Sequence, residues 1–149
     1  MIKQQLQDDV KAAMLAGDSV RLETLRGLKS VILYAEVAAG KRDEGLDDDA
    51  IQALFAKEAK KRQESADLYR QGGSPERADK ELAEKTIIET YLPPQLSEAE
   101  LRQIIDEVIA TQAATGPSAM GAVIGSVKQR VGSSADGGMI AKIVKEKLQ

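Results

Sequence analysis

The side chains best suited to binding chemistry lie near the carboxyl terminus, where cations surround a turn of small residues. Two cations precede the turn, and two more lie along the helix predicted after it. Backbone amides at the start of a helix lack partners within that helix, and together with the helix dipole they favour an anion. The pattern therefore predicts a phosphate or RNA-backbone site formed by Lys128, Arg130, Ser133, Ser134, Gly137, Lys142 and Lys145.

The same segment also has a purely structural interpretation. Asp136 could accept hydrogen bonds from the first-turn amides and cap the helix, which would leave those donors unavailable to a ligand. Gly121 and Gly125 share one face of the preceding helix, where glycine costs about 1 kcal/mol relative to alanine. Such a pair indicates the close approach of another helix or of a ligand. On the sequence alone, the binding-site and the purely structural interpretations of this segment both stay open.

A second group of cations lies near the middle of the chain. Lys57, Lys60 and Lys61 share one face of a predicted helix and form a secondary basic face that could contact a polyanion. However, the spacing of Glu58 and Arg62 is typical of a solvated surface with ion pairs between successive turns. We therefore keep two interpretations of this face, a binding surface and an ordinary exposed surface.

The residues that are absent exclude most catalytic classes. The 149-residue chain has no His and no Cys, so it has no thiol nucleophile, imidazole base, Ser-His-Asp triad or zinc site built from those ligands. No phosphate-binding Gly-Lys-Ser/Thr loop or dinucleotide fingerprint occurs. Asp47, Asp48 and Asp49 are interpreted as a helix cap that complements the dipole. We assign no catalytic residue and predict no metal and no cofactor.

The elements that must position these groups are predicted to be helices. Aromatic residues make up only 3% of the chain, and Ala, Leu, Glu, Lys and Gln favour helix over sheet. The periodicity predicts an all-α protein with an amino-terminal bundle of about four helices over residues 1–92. Proline then interrupts the pattern at a linker, residues 93–97, marked by Tyr91, Pro93 and Pro94. A small three-helix domain is predicted over residues 98–149.

Charge and hydropathy indicate which partners the chain could bind and where in the cell it is expected. The net charge is −3, yet residues 117–149 carry five basic and two acidic side chains. A local cationic surface can bind a polyanion on an acidic protein because salt screens distant charges. No run approaches the roughly 20 apolar residues of a membrane span, and the first eight residues lack the apolar core of a signal peptide. We therefore predict a cytoplasmic location and no membrane contact.

Three motifs together give the chain a family resemblance. The first is Arg21–Arg26 (RLETLR), and the second is Tyr91–Ser97 (YLPPQLS). The third begins at Met120-Gly121, includes Ala135–Gly137 (ADG) and ends at Ile143–Lys145 (IVK). The middle and late motifs at this spacing are specific in combination. Over essentially its whole length the chain resembles the free-standing YqeY-like members of the GatB/YqeY family.

The resemblance implies an all-helical protein with an amino-terminal bundle and a small carboxy-terminal three-helix domain. In the family's large relative, the B subunit of the glutamine-dependent aminoacyl-tRNA amidotransferase, similar domains form a tail that contacts tRNA. The parts of that subunit that use ATP and ammonia lie in regions that this chain lacks. The resemblance therefore implies tRNA contact without the catalytic machinery.

Three hypotheses about function follow. The leading one is a non-catalytic module associated with tRNA or another RNA, with translation or amidotransferase proteins as further partners. The first alternative is a protein–protein interaction module that binds no RNA. The second alternative rests on the family label alone and is a carbon–nitrogen ligase that uses glutamine as the amide donor.

Overall fold

The structure, a computed structural model, describes residues 1–149 and contains seven α-helices and no β-strand. The all-α prediction is therefore confirmed. None of the helices combines the length and apolar character that a membrane span requires. Contacts between Cα atoms divide the chain into an amino-terminal unit, Met1–Leu92, and a carboxy-terminal unit, Pro93–Gln149. The helices are α1 (Ile2–Ala16), α2 (Ser19–Ala38), α3 (Asp48–Gln71), α4 (Pro75–Glu89), α5 (Glu98–Gln112), α6 (Met120–Val131) and α7 (Gly137–Leu148).

Side-chain caps set several helix starts. Asp18 accepts from the amide of Arg21 at 3.1 Å, and Asp47 accepts from that of Ala50 at 2.8 Å. Each cap satisfies one amide that has no partner within its helix. Ser74 occupies the N-cap position of α4, but its side chain accepts no capping hydrogen bond. Proline at the first helical position is sufficient to start α4 there, since its fixed φ suits the helix and it has no amide to satisfy.

The amino-terminal unit encloses a core supplied by all four of its helices. Phe55 of α3 is fully buried, and its ring meets that of Tyr91 edge to face, with the centroids 5.7 Å apart. Aromatic pairs in this geometry add to the stabilisation that burial alone provides. The other buried apolar side chains of this core are Ile2, Leu6, Ala13, Leu25, Leu28, Ile32, Ile51, Ala59 and Ile88.

Polar contacts inside the amino-terminal unit join α3 to α4. Arg62 Nη1 lies 2.7 Å from Glu58 Oε2 on the preceding turn of α3, and Arg62 Nε lies 3.1 Å from Glu84 Oε2 on α4. Glu58 is buried, and the side chains of Arg62 and Glu84 are less than one-quarter exposed. The expected solvated pair is therefore one part of a largely buried cluster that connects two helices.

A buried carboxylate holds the loop between α2 and α3. Glu36 Oε2 accepts from Lys3 Nζ at 2.6 Å and from the backbone amide of Leu46 at 2.9 Å. The hydrogen bond from Lys3 lowers the pKa of Glu36, although burial opposes that shift. One side chain thus connects α1, α2 and the segment that leads into α3.

The carboxy-terminal unit has its own apolar core at the centre of three short helices. Ser97 caps α5 by accepting from the amide of Glu100 at 3.1 Å. Apolar side chains of α5, α6 and α7 face one another and supply the buried residues. The core comprises Leu101, Ile105, Val108, Val123, Val127, Val131, Ile140, Ile143, Val144 and Leu148.

Candidate nucleic-acid interface

The turn between α6 and α7 is a short 3₁₀ segment, Gly132–Ser134, that binds residues of the predicted linker through its carbonyl groups. The amide of Leu96 donates to the Ser134 carbonyl at 2.8 Å. Gln95 Nε2 lies 3.0 Å from the Ser133 carbonyl and 3.0 Å from that of Pro93. Ser133 and Ser134, which are predicted to bind phosphate, therefore also accept hydrogen bonds at their carbonyl groups from the first residues of the carboxy-terminal unit.

The start of α7 carries the cap that the structural interpretation requires. Asp136 Oδ2 accepts from the amide of Met139 at 3.1 Å, so this first-turn donor already has a partner. A β-carbon added at Gly137 would lie 3.4 Å from Lys128 Cε and 3.6 Å from its Nζ. These are ordinary van der Waals distances, and they place the end of the Lys128 side chain, with its ammonium group, beside the start of α7.

The predicted cations differ in whether a carboxylate already neutralises them. Arg130 Nη2 lies 2.5 Å from Glu107 Oε2 of α5, in an ion pair that is about half exposed on both sides. Lys142 and Lys145 are exposed on α7 and have no ion pair or side-chain hydrogen bond. Lys128 is also exposed and makes no ion pair. The cations without a carboxylate partner therefore lie on α7 and where α6 and α7 meet at the turn.

The secondary basic face of α3 is mixed in charge. Lys61 Nζ lies 3.2 Å from Glu58 Oε1, and Lys57 and Lys60 are exposed on the same helix. Glu58 also binds Arg62, as described above. A carboxylate thus lies within the row of lysines, and this face has less local positive charge than the sequence spacing indicates.

The linker residues have unequal roles. Tyr91 is only 4% exposed, and its hydroxyl donates to Asp9 Oδ2 of α1. Burial raises the pKa of Tyr91 well above its usual value, and the hydrogen bond to Asp9 raises it further. Pro93 is half-buried and Pro94 is exposed. Tyr91 is therefore part of the core of the amino-terminal unit.

The hydroxyl of Tyr91 should make a measurable contribution to stability. We expect Tyr91→Phe to lower the free energy of unfolding by about 1 to 2 kcal/mol, because it leaves the partly buried Asp9 without its donor. Chemical denaturation monitored by circular dichroism would measure the change. Tyr34→Phe is the matched control, because Tyr34 is 74% exposed and its loss should have almost no effect. Equal effects of the two substitutions would contradict a structural role for the Tyr91 hydroxyl.

Gly121 and Gly125 do not mark a helix-packing contact. A β-carbon added at either glycine would have no heavy atom within 4 Å, apart from its chain neighbours and the backbone of its own helix. The prediction that another helix approaches this face is therefore wrong for this chain. The buried side chains of α6, Val123, Val127 and Val131, lie on the opposite side of the helix.

Comparison with known proteins identifies the family. The family model described as Yqey-like protein matches residues 3–148, which is nearly the entire chain. The chain belongs to the Yqey-like protein family. This confirms the resemblance inferred from the three motifs. The Yqey-like assignment carries with it the relation to the tail of the amidotransferase B subunit.

Curated relatives of this Yqey-like chain come from yeasts, and they are named "Altered inheritance of mitochondria protein 41, mitochondrial". The protein of Lachancea thermotolerans is 32% identical over 115 residues, which are 76% of this chain and 60% of that protein. The protein of Eremothecium gossypii is 34% identical over 87 residues, covering 58% of this chain and 46% of that protein. The Yqey-like chain thus spans about half the length of the curated relatives it matches.

These names contradict the predicted cytoplasmic location. Each of the relatives is named as a mitochondrial protein. The prediction rests on two residue patterns, an amino-terminal segment without an apolar core and the absence of a run long enough to span a membrane. Neither property distinguishes the cytosol from the interior of an organelle, so the inference was wrong.

Proposed function

We propose that this Yqey-like protein is a non-catalytic module that associates with RNA, with tRNA as the principal candidate. The observation that carries the proposal is the exposed face of α7, where Lys142 and Lys145 have no carboxylate partner. Lys128 extends this positive charge to the start of the helix. Such a face attracts phosphates through charge and does not read base sequence. The family relation to a tRNA-contacting tail supports the same conclusion.

The contacts of the predicted site residues suggest unequal contributions to binding. Lys128, Lys142 and Lys145 are the principal phosphate contacts in the proposal. Arg130 contributes less, because binding a phosphate would compete with its ion pair to Glu107. Ser133, Ser134 and Gly137 shape the turn between the two cationic helices. Translation or amidotransferase proteins are proposed as the assemblies in which such a module acts.

The proposal includes a division of labour between two domains. The amino-terminal unit is proposed to fold separately as a four-helix bundle, and residues 98–149 as a three-helix domain that carries the RNA-binding face. Residues 93–97 are the proposed linker. Separate apolar cores in the two compact units support this division.

Titration of fluorescently labelled tRNA at several salt concentrations tests the proposal. We expect the triple variant Lys128→Ala, Lys142→Ala, Lys145→Ala to bind about tenfold or more weakly at low salt. The slope of log affinity against log salt should fall by about 2 to 3, since each lysine accounts for about one phosphate contact.

The matched control removes three lysines from the secondary basic face. Lys57→Ala, Lys60→Ala, Lys61→Ala changes the net charge by the same amount, and it should alter tRNA affinity much less. Equal losses in the two triple variants would show that the total charge, and not the α7 face, governs binding. No binding of the unmodified protein at any salt concentration would overturn the proposal.

A further inference from the structure

A groove of about 540 Å³ runs between α1 and α2 on the amino-terminal unit. Its floor is apolar and is formed by Leu6, Ile32 and Leu33. Leu6 and Ile32 also belong to the core, whereas Leu33 is 48% exposed. Lys3, Arg26 and Lys29 line the same groove. An apolar floor with cations beside it is a combination that neither the RNA proposal nor the core explains.

Two of the three cations that line this groove have no carboxylate partner. Glu36 is the one carboxylate among the lining residues, and Lys3 and the amide of Leu46 already occupy it. Arg26 contacts only the sulfur of Met14, with Nη2 at 3.9 Å from Sδ. Lys29 is exposed and has no ion pair. Arg26 and Lys29 therefore remain available to carboxylates from outside the chain.

The apolar character extends beyond the groove along the exposed faces of both helices. Leu33 and Val37 lie one turn apart on α2, and Val37 is 54% exposed. Met14 of α1 is exposed to the same extent beside Arg26. Exposed apolar groups beside a groove are typical of a protein-binding site. A nucleic-acid backbone would pair with the cations but would leave this apolar surface in contact with water.

We propose that the α1–α2 groove binds an acidic amphipathic helix of a partner protein. Apolar residues of that helix, spaced at three and four positions, would cover Leu33 and the floor of the groove. Carboxylates on its flanks would pair with Arg26 and Lys29, and this complementarity selects an acidic partner over a basic one. The proposal is independent of RNA binding, because it concerns other residues in the other compact unit.

A defined peptide tests this proposal. The probe is a fluorescein-labelled helical peptide of about four turns with leucines at i, i+3, i+4 and i+7 and glutamates on both flanks. Fluorescence anisotropy should show saturable binding of this peptide to the full chain. A scrambled peptide of the same composition, and a peptide with lysine in place of each glutamate, should bind at least tenfold more weakly.

Variants of the protein locate the binding site. Arg26→Glu with Lys29→Glu should weaken binding of the acidic peptide at least tenfold, and Leu33→Ser should weaken it several-fold. The matched control is Lys41→Glu with Arg42→Glu, which changes the same residue types at exposed positions of the following loop. This control should retain affinity, and circular dichroism should show native helix content in every variant.

Several outcomes would overturn the proposal. They are the absence of peptide binding, equal binding of the scrambled peptide, and an equal loss in the loop control. Loss of tRNA binding in the Arg26→Glu, Lys29→Glu variant with unchanged peptide binding would assign the groove to nucleic acid. A concentration-dependent dimer that Leu33→Ser abolishes, with no peptide binding, would assign it to a second copy of this chain.

Discussion

Arg62→Met should lower the free energy of unfolding of the amino-terminal unit by about 2 to 3 kcal/mol. The substitution keeps most of the apolar stem but removes the guanidinium that binds Glu58 at 2.7 Å and Glu84 at 3.1 Å. Glu81 Oε2 also lies within 4.0 Å of Arg62 Nε. Removing the cation leaves the largely buried Glu84 without a cation and Glu58 with only the exposed Lys61, which costs more than the ion pairs themselves contribute. Urea denaturation followed by circular dichroism would measure the loss.

The control for this prediction is on the same helix. Arg70 Nη2 lies 3.9 Å from Asp79 Oδ1, and both side chains are more than half exposed. Surface ion pairs of this kind contribute about 0 to 1 kcal/mol, so Arg70→Met should change stability little. Adding Glu58→Gln and Glu84→Gln to Arg62→Met should restore part of the lost stability. Equal effects at the two arginines would contradict the role of burial.

Ile105→Ala should destabilise the carboxy-terminal unit by about 3 kcal/mol. Ile105 is completely buried at the centre of a small core, and truncation leaves a cavity as well as removing apolar contacts. A unit of this size has only a few kcal/mol of stability, so the loss should leave much of it unfolded at 37 °C. Hydrogen exchange with mass spectrometry should show amides of α5, α6 and α7 losing protection.

Ile88→Ala is the matched control for that experiment. Ile88 is also completely buried, but it lies in the core of the amino-terminal unit. If the two units are separate domains, Ile88→Ala should reduce protection in α1 to α4 and leave α5 to α7 protected. Loss of protection throughout the chain in both variants would mean that the units unfold together, contrary to the proposed division into domains.

The helices could be predicted because their limits are encoded locally. Asp47 and Ser97 each cap a helix through an amide three residues away, and Gly17 ends α1 with a φ of 68° that suits glycine. The interaction in each case spans only a few residues, so the spacing along the sequence predicts it. Ser74 shows the limit of such inference, since a residue of the preferred type precedes α4 without capping it.

The surroundings of the candidate site could not be predicted in the same way. Arg130 and Glu107 are 23 residues apart, and only the packing of α6 against α5 brings them together. Similarly, Lys3 and Glu36 are 33 residues apart in the sequence and form an ion pair in the fold. This ion pair neutralises the one carboxylate that lines the α1–α2 groove. Sequence spacing locates the cations, but whether each one is neutralised depends on tertiary neighbours. The distinction between Arg130 and Lys142 therefore needed the fold.

The hydrogen bond between Tyr91 and Asp9 has a consequence for biosynthesis. It joins two residues that are 82 positions apart in the sequence, one near the beginning and one near the end of the amino-terminal unit. Contacts between distant residues form late, because the chain between them must first be ordered. During translation α1 emerges from the ribosome long before Tyr91 is made. Until then Phe55 lacks its aromatic partner and Asp9 its donor, so a nascent chain that stops short of Tyr91 cannot complete this core.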